Sequence, residues 1–397
     1  MATAIFFGSP AHGHTNPTLP VVTELVRRGE RVIYYSLEEF QAEIEQTGAT
    51  FRSYGSNYPF DPARSGENGF KVIYELLQVS QLVLENLLDE VKQTQPNYIL
   101  YDSTATWGNY FAQILHIPCI CSMTMFGITT RLILGVPSLM LMGFHSQGYI
   151  RQVDAIGRQL SKRYGLEKID YLRYMRSTGK INIVYTSRFF QPYESAFDDT
   201  YMFVGPSILP RPNAPTFPFE KLSGNPLLYI SLGTIFNGRD HFYRTCLEAF
   251  ADRNFQVVMS VGHHISVAEL GTLPDNFIVQ NVVPQLELLQ HTKVFITHAG
   301  MNSASEALYY GVPLLAIPQA TDQHYVAKRV AQLGAGKILT REKVTAPLLR
   351  KYVGELFTNP GYAHTSVKIG KTLRQAGGYI RAVDEIENMK QSCNIFL

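Results

Sequence analysis

"KVFITHAGMNSASEALYYGVPLLAIPQATDQ", residues 293–323, reads as one strand–helix–strand unit. "VFIT" is a short apolar run of β-branched and aromatic residues, closed by His298, Ala299 and Gly300. Its length and its glycine boundary predict a strand rather than a buried helix. A helix is predicted to begin near Asn302 and Ser303, and "VPLLAIP" (312–318) reads as the next strand. Two strands joined through a helix run parallel, and a parallel sheet has both faces covered. That explains why these runs are apolar at successive positions instead of alternating.

The same alternation extends in both directions. Upstream in the second half of the chain lie "LLYISLG" (227–233), "FQVVMSVG" (255–262) and "NFIVQ" (276–280). In the first half the strand candidates are "AIFF" (4–7), "RVIYYS" (31–36), "NYILYD" (97–102), "IPCICS" (117–122) and "INIVYTS" (181–187). Helices are predicted around 17–28, 38–47, 70–93 and 105–115. Between the two series, residues 204–226 hold six of the chain's 21 prolines and little periodicity, which marks a linker. The expected architecture is α/β: two doubly wound, Rossmann-like domains, 1–204 and 227–377, joined by a linker over 205–226. Ligands are expected at a central cleft, where the carboxyl ends of the two parallel sheets face each other.

Composition restricts the partners. With 397 residues, 45% of them hydrophobic, the chain can bury two cores. Its 35 basic and 33 acidic side chains give a formal net charge of +2, too small to suggest nucleic acid or an anionic membrane as the main partner. Cys119, Cys121, Cys246 and Cys393 form no C-x-x-C pair, and the spacing of Cys119 and Cys121 places both on one strand face as core residues of a reduced chain. The opening residues carry no basic leader or long apolar region, so the expectation is a cytoplasmic protein without stable membrane insertion. "LILGVPSLMLMGF" (132–144) is interrupted by Gly135 and Pro137 and reads either as core or as the wall of an apolar pocket.

Three polar clusters fall just past strands. The first, "GSPAHGHTNP" (8–17), lacks the G-x-G-x-x-G of a dinucleotide site, and no H-E-x-x-H or Asp-x-Asp accompanies its histidines, so no metal is expected. A proton remains. A histidine in a turn is ordinarily surface, but Asp102 ends another strand of the same domain and can face His14, which makes a general base of it. Pro17 is read as opening the helix behind His14, and His12 is given a helix-end or core role. The second cluster, "THAGMNSASEAL" (297–308), presents a helix start suited to an anion, with Glu306 one turn further in, within reach of a hydroxyl. The third, "ISLGT" (230–234), offers Ser231, Gly233 and Thr234 as further donors. A base in one domain and a diphosphate cradle in the other suit glycosyl transfer from a nucleoside-diphosphate sugar.

Here the chain resembles a known family. "VPQLELL" (283–289), "THAGMNSASEAL" and "GVPLLAIPQATDQ" (311–323) are similar to the donor signature of the UDP-dependent family 1 glycosyltransferases, and "GHTNP" (13–17) to that family's catalytic-histidine turn. "VGPS", "ISLGT" and "VMSVG" resemble its bacterial macrolide-type branch. The resemblance implies a GT-B fold, inversion at the anomeric carbon and no cofactor or metal beyond the UDP-sugar. It implies His14 as base with Asp102 its partner, and His298 on the α-phosphate. Asn302, Ser303 and Thr234 would be further phosphate donors, beside Gly300, and Glu306 with Gln285 would hold the ribose. Asp322 and Gln323 would hold the sugar, glucose by resemblance, and the Val283 backbone the uracil. Plant members stack a tryptophan on the base where this chain has Val282. Residues 378–397 are expected to form a helix that crosses back onto the first domain.

Tyr58, Phe60, Phe70, Met123, Phe126 and the 132–144 stretch are the expected acceptor pocket, suited to phenolic, flavonoid, polyketide or macrolide alcohols. Two other readings stay open: a glycolipid-forming transferase at the inner membrane face, and a UDP-sugar epimerase on the same fold. Vesicle co-sedimentation tests the first and product analysis without acceptor the second.

Overall fold

The computed structural model of the protein describes residues 2–56, 58–60, 68–128, 146–211, 214–235, 237–319 and 321–395. By its internal contacts the chain divides into two units, Met1–Ser207 with Ala376–Leu397, and Ile208–Gln375.

Among the described residues the first unit carries a seven-stranded parallel sheet. Its strands are β1 (Thr3–Phe7), β2 (Arg31–Ser36), β3 (Thr50–Ser53), β4 (Tyr98–Asp102), β5 (Cys119–Met123), β6 (Ile181–Val184) and β7 (Tyr201–Phe203). They lie in the order β3-β2-β1-β4-β5-β6-β7. The second unit has six: β8 (Leu227–Ser231), β9 (Gln256–Ser260), β10 (Phe277–Gln280), β11 (Thr292–Thr297), β12 (Leu314–Ala316) and β13 (Gly336–Ile338). These follow the order β10-β9-β8-β11-β12-β13, again all parallel. Both sheets are doubly wound Rossmann-like layers. In each, the strand order reverses once, between β1 and β4 and between β8 and β11. A sheet of this kind opens a crevice at its reversal, at the carboxyl ends of the two strands.

The apolar runs serve two faces at once. In β1, Ile5 and Phe7 join the core with Tyr101, Trp107 and Cys121, whereas Ala4 and Phe6 join the opposite core with Tyr34, Leu100 and Ile183. Cys119 and Cys121 do share one face, and all four cysteines are free thiols. The strands missing from the sequence reading, β3, β7 and β13, are sheet edges of three or four residues. Such edges bury too little to need an apolar run.

One boundary differs from expectation. Most of the proline-rich stretch packs with the second unit: the Ser223 N–H donates to Gln256 Oε1 at 2.8 Å and Gln256 Nε2 to the Lys221 carbonyl at 2.9 Å. The last helix, Gly378–Ser392, belongs to the first unit, where Ala382, Val383, Ile386 and Met389 complete the core on the Phe6 face. Arg28 pairs with Asp384 and Glu387 at 2.8 Å each, and the Gly378 N–H donates to the Val204 carbonyl. Deleting residues 378–397 would uncover that face, so the expected result is a lower melting temperature. An unchanged melting curve would contradict the packing.

Candidate active site

The loop after β1 is clamped from behind. A side-chain carbon on Gly8 would lie 2.5 Å from the Tyr34 ring, so only glycine lets the strand pass there. Tyr54 donates its hydroxyl to the Gly8 carbonyl at 2.8 Å and accepts from Trp107 Nε1 at 3.2 Å. The chain then makes a one-turn helix, His12–Thr15, before the helix Leu19–Arg27. It is Pro20, in the first turn, that opens the second helix, and not Pro17. His12 is exposed, its ring set edge-on to Phe40.

His14 and Asp102 come from the two strands flanking the reversal of the first sheet. His14 Nδ1 lies 2.9 Å from Asp102 Oδ2. Asp102 is 1% exposed, and its other oxygen accepts from the Thr104 N–H at 2.9 Å and the Thr104 hydroxyl at 2.6 Å. Thr124 Oγ1, just past β5, lies 2.9 Å from His14 Nδ1 and 3.4 Å from Asp102 Oδ2. A carboxylate only accepts, so Nδ1 carries a hydrogen, and when the imidazole is neutral its lone pair is on Nε2. Burial pushes the Asp102 carboxyl up, but the His14 charge and the hydrogen bonds from His14 and Thr104 outweigh it, leaving the carboxyl below its ordinary range.

That shift has a defined sign. Because the folded chain favours ionised Asp102, its contribution to stability is complete above the unfolded aspartate range and is lost as pH falls through the folded value. The expected result is that Asp102→Asn flattens part of the acid limb of the stability curve, measured by denaturation between about pH 3 and 7. An unchanged acid limb would mean that the pair contributes nothing.

In the second unit the reversal brings together the ends of β8 and β11, with Ser231 opposite Thr297. His298 sits over two glycines. A side-chain carbon at Gly233 (φ +80°) would lie 2.5 Å from its ring, and one at Gly300 2.4 Å. His298 Nδ1 is buried without a hydrogen-bond partner among the described residues, and burial pulls the imidazole down to about 4, so it is neutral at pH 7. A buried ring nitrogen without a partner calls for an explanation, and a bound ligand is the one that the resemblance implies for His298. We expect Gly300→Val to displace the imidazole and to weaken nucleoside-diphosphate binding in calorimetry, with retained affinity contradicting the cradle.

The helix Met301–Tyr309 starts here with Gly300 as N-cap and no side-chain cap, so its first-turn N–H groups have no acceptor within the helix. Asn302 and Ser303 stand in that turn. Thr234 is exposed, and the Gly233 N–H donates to Ser231 Oγ at 3.2 Å. Asn237, buried over Gly262, donates to the carbonyls of Gly233 (2.9 Å) and Thr234 (3.2 Å) and so sets the loop. Glu306 is 5% exposed; Gln285 Nε2 donates to its Oε2 and Arg211 Nη2 to its Oε1, each at 2.6 Å. Tyr229 donates to Gln285 Oε1 at 3.2 Å.

Val283 is buried while Val282 is 41% exposed, an apolar surface beside the backbone expected to meet a base. Asp322 is exposed at the start of the helix Thr321–Leu333, and buried Gln323 accepts from the Gln319 N–H at 2.8 Å.

The acceptor candidates among the described residues are packed. Tyr58 stacks on Tyr54, Phe70 on Tyr171, and Phe126 meets Phe190. Met123 lies in the core at the end of β5, and Phe60 packs against the same core. Residues 132–144 lie outside the described residues. Sequence reasoning missed Thr104, Thr124, Asn237 and Arg211. Thr104, two residues after Asp102, is a local turn signal that could have been found; the others carry none. Among the described residues no three His, Cys, Asp or Glu side chains converge as metal ligands, and no helix is long and apolar enough to cross a membrane.

Two parallel-sheet units, each with its polar cluster at the strand reversal, define the GT-B class. Over residues 244–376 the chain matches the family of erythromycin biosynthesis protein CIII-like C-terminal domains. It is 34% identical to the uncharacterized UDP-glucosyltransferase YojK of Bacillus subtilis (strain 168), covering 98% of both chains. It is 36% identical to the NDP-glycosyltransferase YjiC of Bacillus licheniformis, with 96% of each covered. The solved structure of the calicheamicin glycosyltransferase CalG4 superposes with a TM-score of 0.84 at 26% identity, over 98% of each chain. The protein belongs to the bacterial family 1 UDP-glycosyltransferases, enzymes of the GT-B fold.

Proposed function

We propose that the protein is a metal-independent, inverting O-glycosyltransferase that moves glucose from UDP-glucose to a hydroxyl of a hydrophobic small molecule, phenolic, polyketide or macrolide. The observation that carries this reading is the His14–Asp102 pair, in which a buried carboxylate holds Nδ1 and so orients the imidazole, making Nε2 the nitrogen assigned to the acceptor proton. In the reaction Nε2 takes the acceptor O–H proton as the oxygen attacks C1 of the glucose. The bond from C1 to the diphosphate oxygen breaks, and UDP leaves with the electron pair. Attack opposite the leaving group inverts C1. Asp102 stabilises the imidazolium, the division of labour of a hydrolase triad.

The charge gathering on UDP is met by fixed donors: His298, Ser231, Thr234, and the first turn that carries Asn302 and Ser303. The printed description of the Bacillus subtilis relative supports a UDP-glucose donor. The oleandomycin glycosyltransferase of Streptomyces antibioticus, 30% identical over 96% of this chain, supports an acceptor of macrolide type. The test is an incubation with UDP-glucose and a simple phenol in the presence of chelator, with the anomeric configuration of the product read by NMR. A β-glucoside supports the reading. An α-glucoside would overturn inversion, metal dependence would overturn the leaving-group account, and free or isomerised sugar without acceptor would favour the epimerase.

A further inference from the structure

Glu306 is gripped from two sides within the second unit. Gln285 takes Oε2; Arg211, 95 residues earlier in the chain, takes Oε1 as an ion pair at 2.6 Å. The Glu306 side chain is 7% exposed and that of Arg211 36%, so the arginine closes on the acid from the solvent side. We infer that Arg211 is a positioning residue for ribose recognition: it fixes the plane of the Glu306 carboxylate so that the remaining acceptor positions meet a vicinal diol. The inference rests on the reading of Glu306 as the ribose contact.

The count of hydrogen-bond positions supports it. An ionised carboxylate offers about four lone-pair positions. Gln285 and Arg211 use one on each oxygen, which leaves one on each oxygen, matching the two O–H donors of a ribose. An unheld glutamate side chain would pay rotamer entropy on binding the diol, whereas this one is already ordered. The arginine is also cheap to hold. It stands in "LPRP" (209–212), and a residue that precedes proline is kept out of the α region, so its backbone has fewer states to lose. Lysine would supply the charge but not the planar fork.

The experiment is calorimetric titration of the full chain with UDP and with 2′-deoxy-UDP, for the natural sequence, Arg211→Met and Arg211→Lys. The natural chain is expected to prefer UDP. In Arg211→Met, UDP affinity falls about tenfold, as for a lost hydrogen bond to a charged group, while 2′-deoxy-UDP affinity changes by less than about threefold. In the assay the donor KM rises and kcat at saturating donor stays within about twofold, because Arg211 touches no reacting atom. Arg211→Lys regains only part of the preference for UDP, and serves alone should the methionine variant fail to fold.

Unchanged or tighter UDP binding in a folded variant would overturn the inference, since it would make Arg211 a bystander or a plug. Equal weakening of both nucleotides would overturn it too. Absence of UDP binding in the natural chain is a different failure, that of the donor reading itself.

Discussion

Replacing His14 with alanine is expected to lower kcat/KM for a phenol acceptor by about 10²-fold or more, measured as initial rates of UDP release from UDP-glucose. Each factor of ten corresponds to about 1.4 kcal/mol of transition-state stabilisation, so the loss is about 3 kcal/mol or more. A phenol or alcohol attacks poorly while it keeps its proton, and His14 Nε2 is the acceptor for that proton in the proposed reaction. UDP affinity should not change, because the proposed donor contacts belong to the second unit, so the loss is expected in the chemical step. Asp102→Asn should fall in the same direction, since an amide cannot stabilise the imidazolium. Thr124→Val is expected to cost less, about tenfold or below, because Asp102 still holds Nδ1 at 2.9 Å. If His14→Ala keeps its rate, the loop after β1 is only a turn, and the phosphate cradle serves another reaction.

Replacing Lys390 with methionine is expected to destabilise the first unit by about 3–5 kcal/mol, the usual cost of removing one partner from a buried ion pair. Lys390 is 4% exposed and Glu30 5%, and the two pair directly. Without the ammonium, Glu30 keeps among the described residues only the Tyr98 hydroxyl at 3.4 Å, so a carboxyl group is left buried and poorly met. The pair ties the last helix to the turn after Leu19–Arg27, on the opposite side of the chain's sequence. Denaturant unfolding followed by fluorescence reads the shift, and the double replacement Glu30→Leu with Lys390→Met should recover most of it. A stability loss below about 1 kcal/mol in the single variant would mean that water reaches the pair, as at a surface salt bridge.

The candidate site residues were legible because the fold puts them where the sequence pattern is strongest. Asp102, Ser231 and His298 end or directly follow an apolar run and His14 stands in the turn after one, and a parallel sheet sends such ends to its ligand side. The seams were harder. Residues 205–226 read as a linker because prolines break periodicity, yet Gln256 and Arg211 show that irregular chain can still be bound to a core. Edge strands such as β13, "GKI", hold too few residues for any period to register.

By itself the sequence determined two parallel α/β layers, and it pointed to the histidine proposed to take the proton and the turn proposed to bind an anion, since each is a local pattern of a few consecutive residues. Only the tertiary structure decided what holds them: Thr124 against His14 across 110 residues, Arg211 on Glu306 across 95, and Lys390 on Glu30 across 360. Such pairs arise from strand order and helix docking. No spacing along the chain encodes which side chain will meet a carboxylate from the far side, so Glu306 could be read from its helix but Arg211 could not.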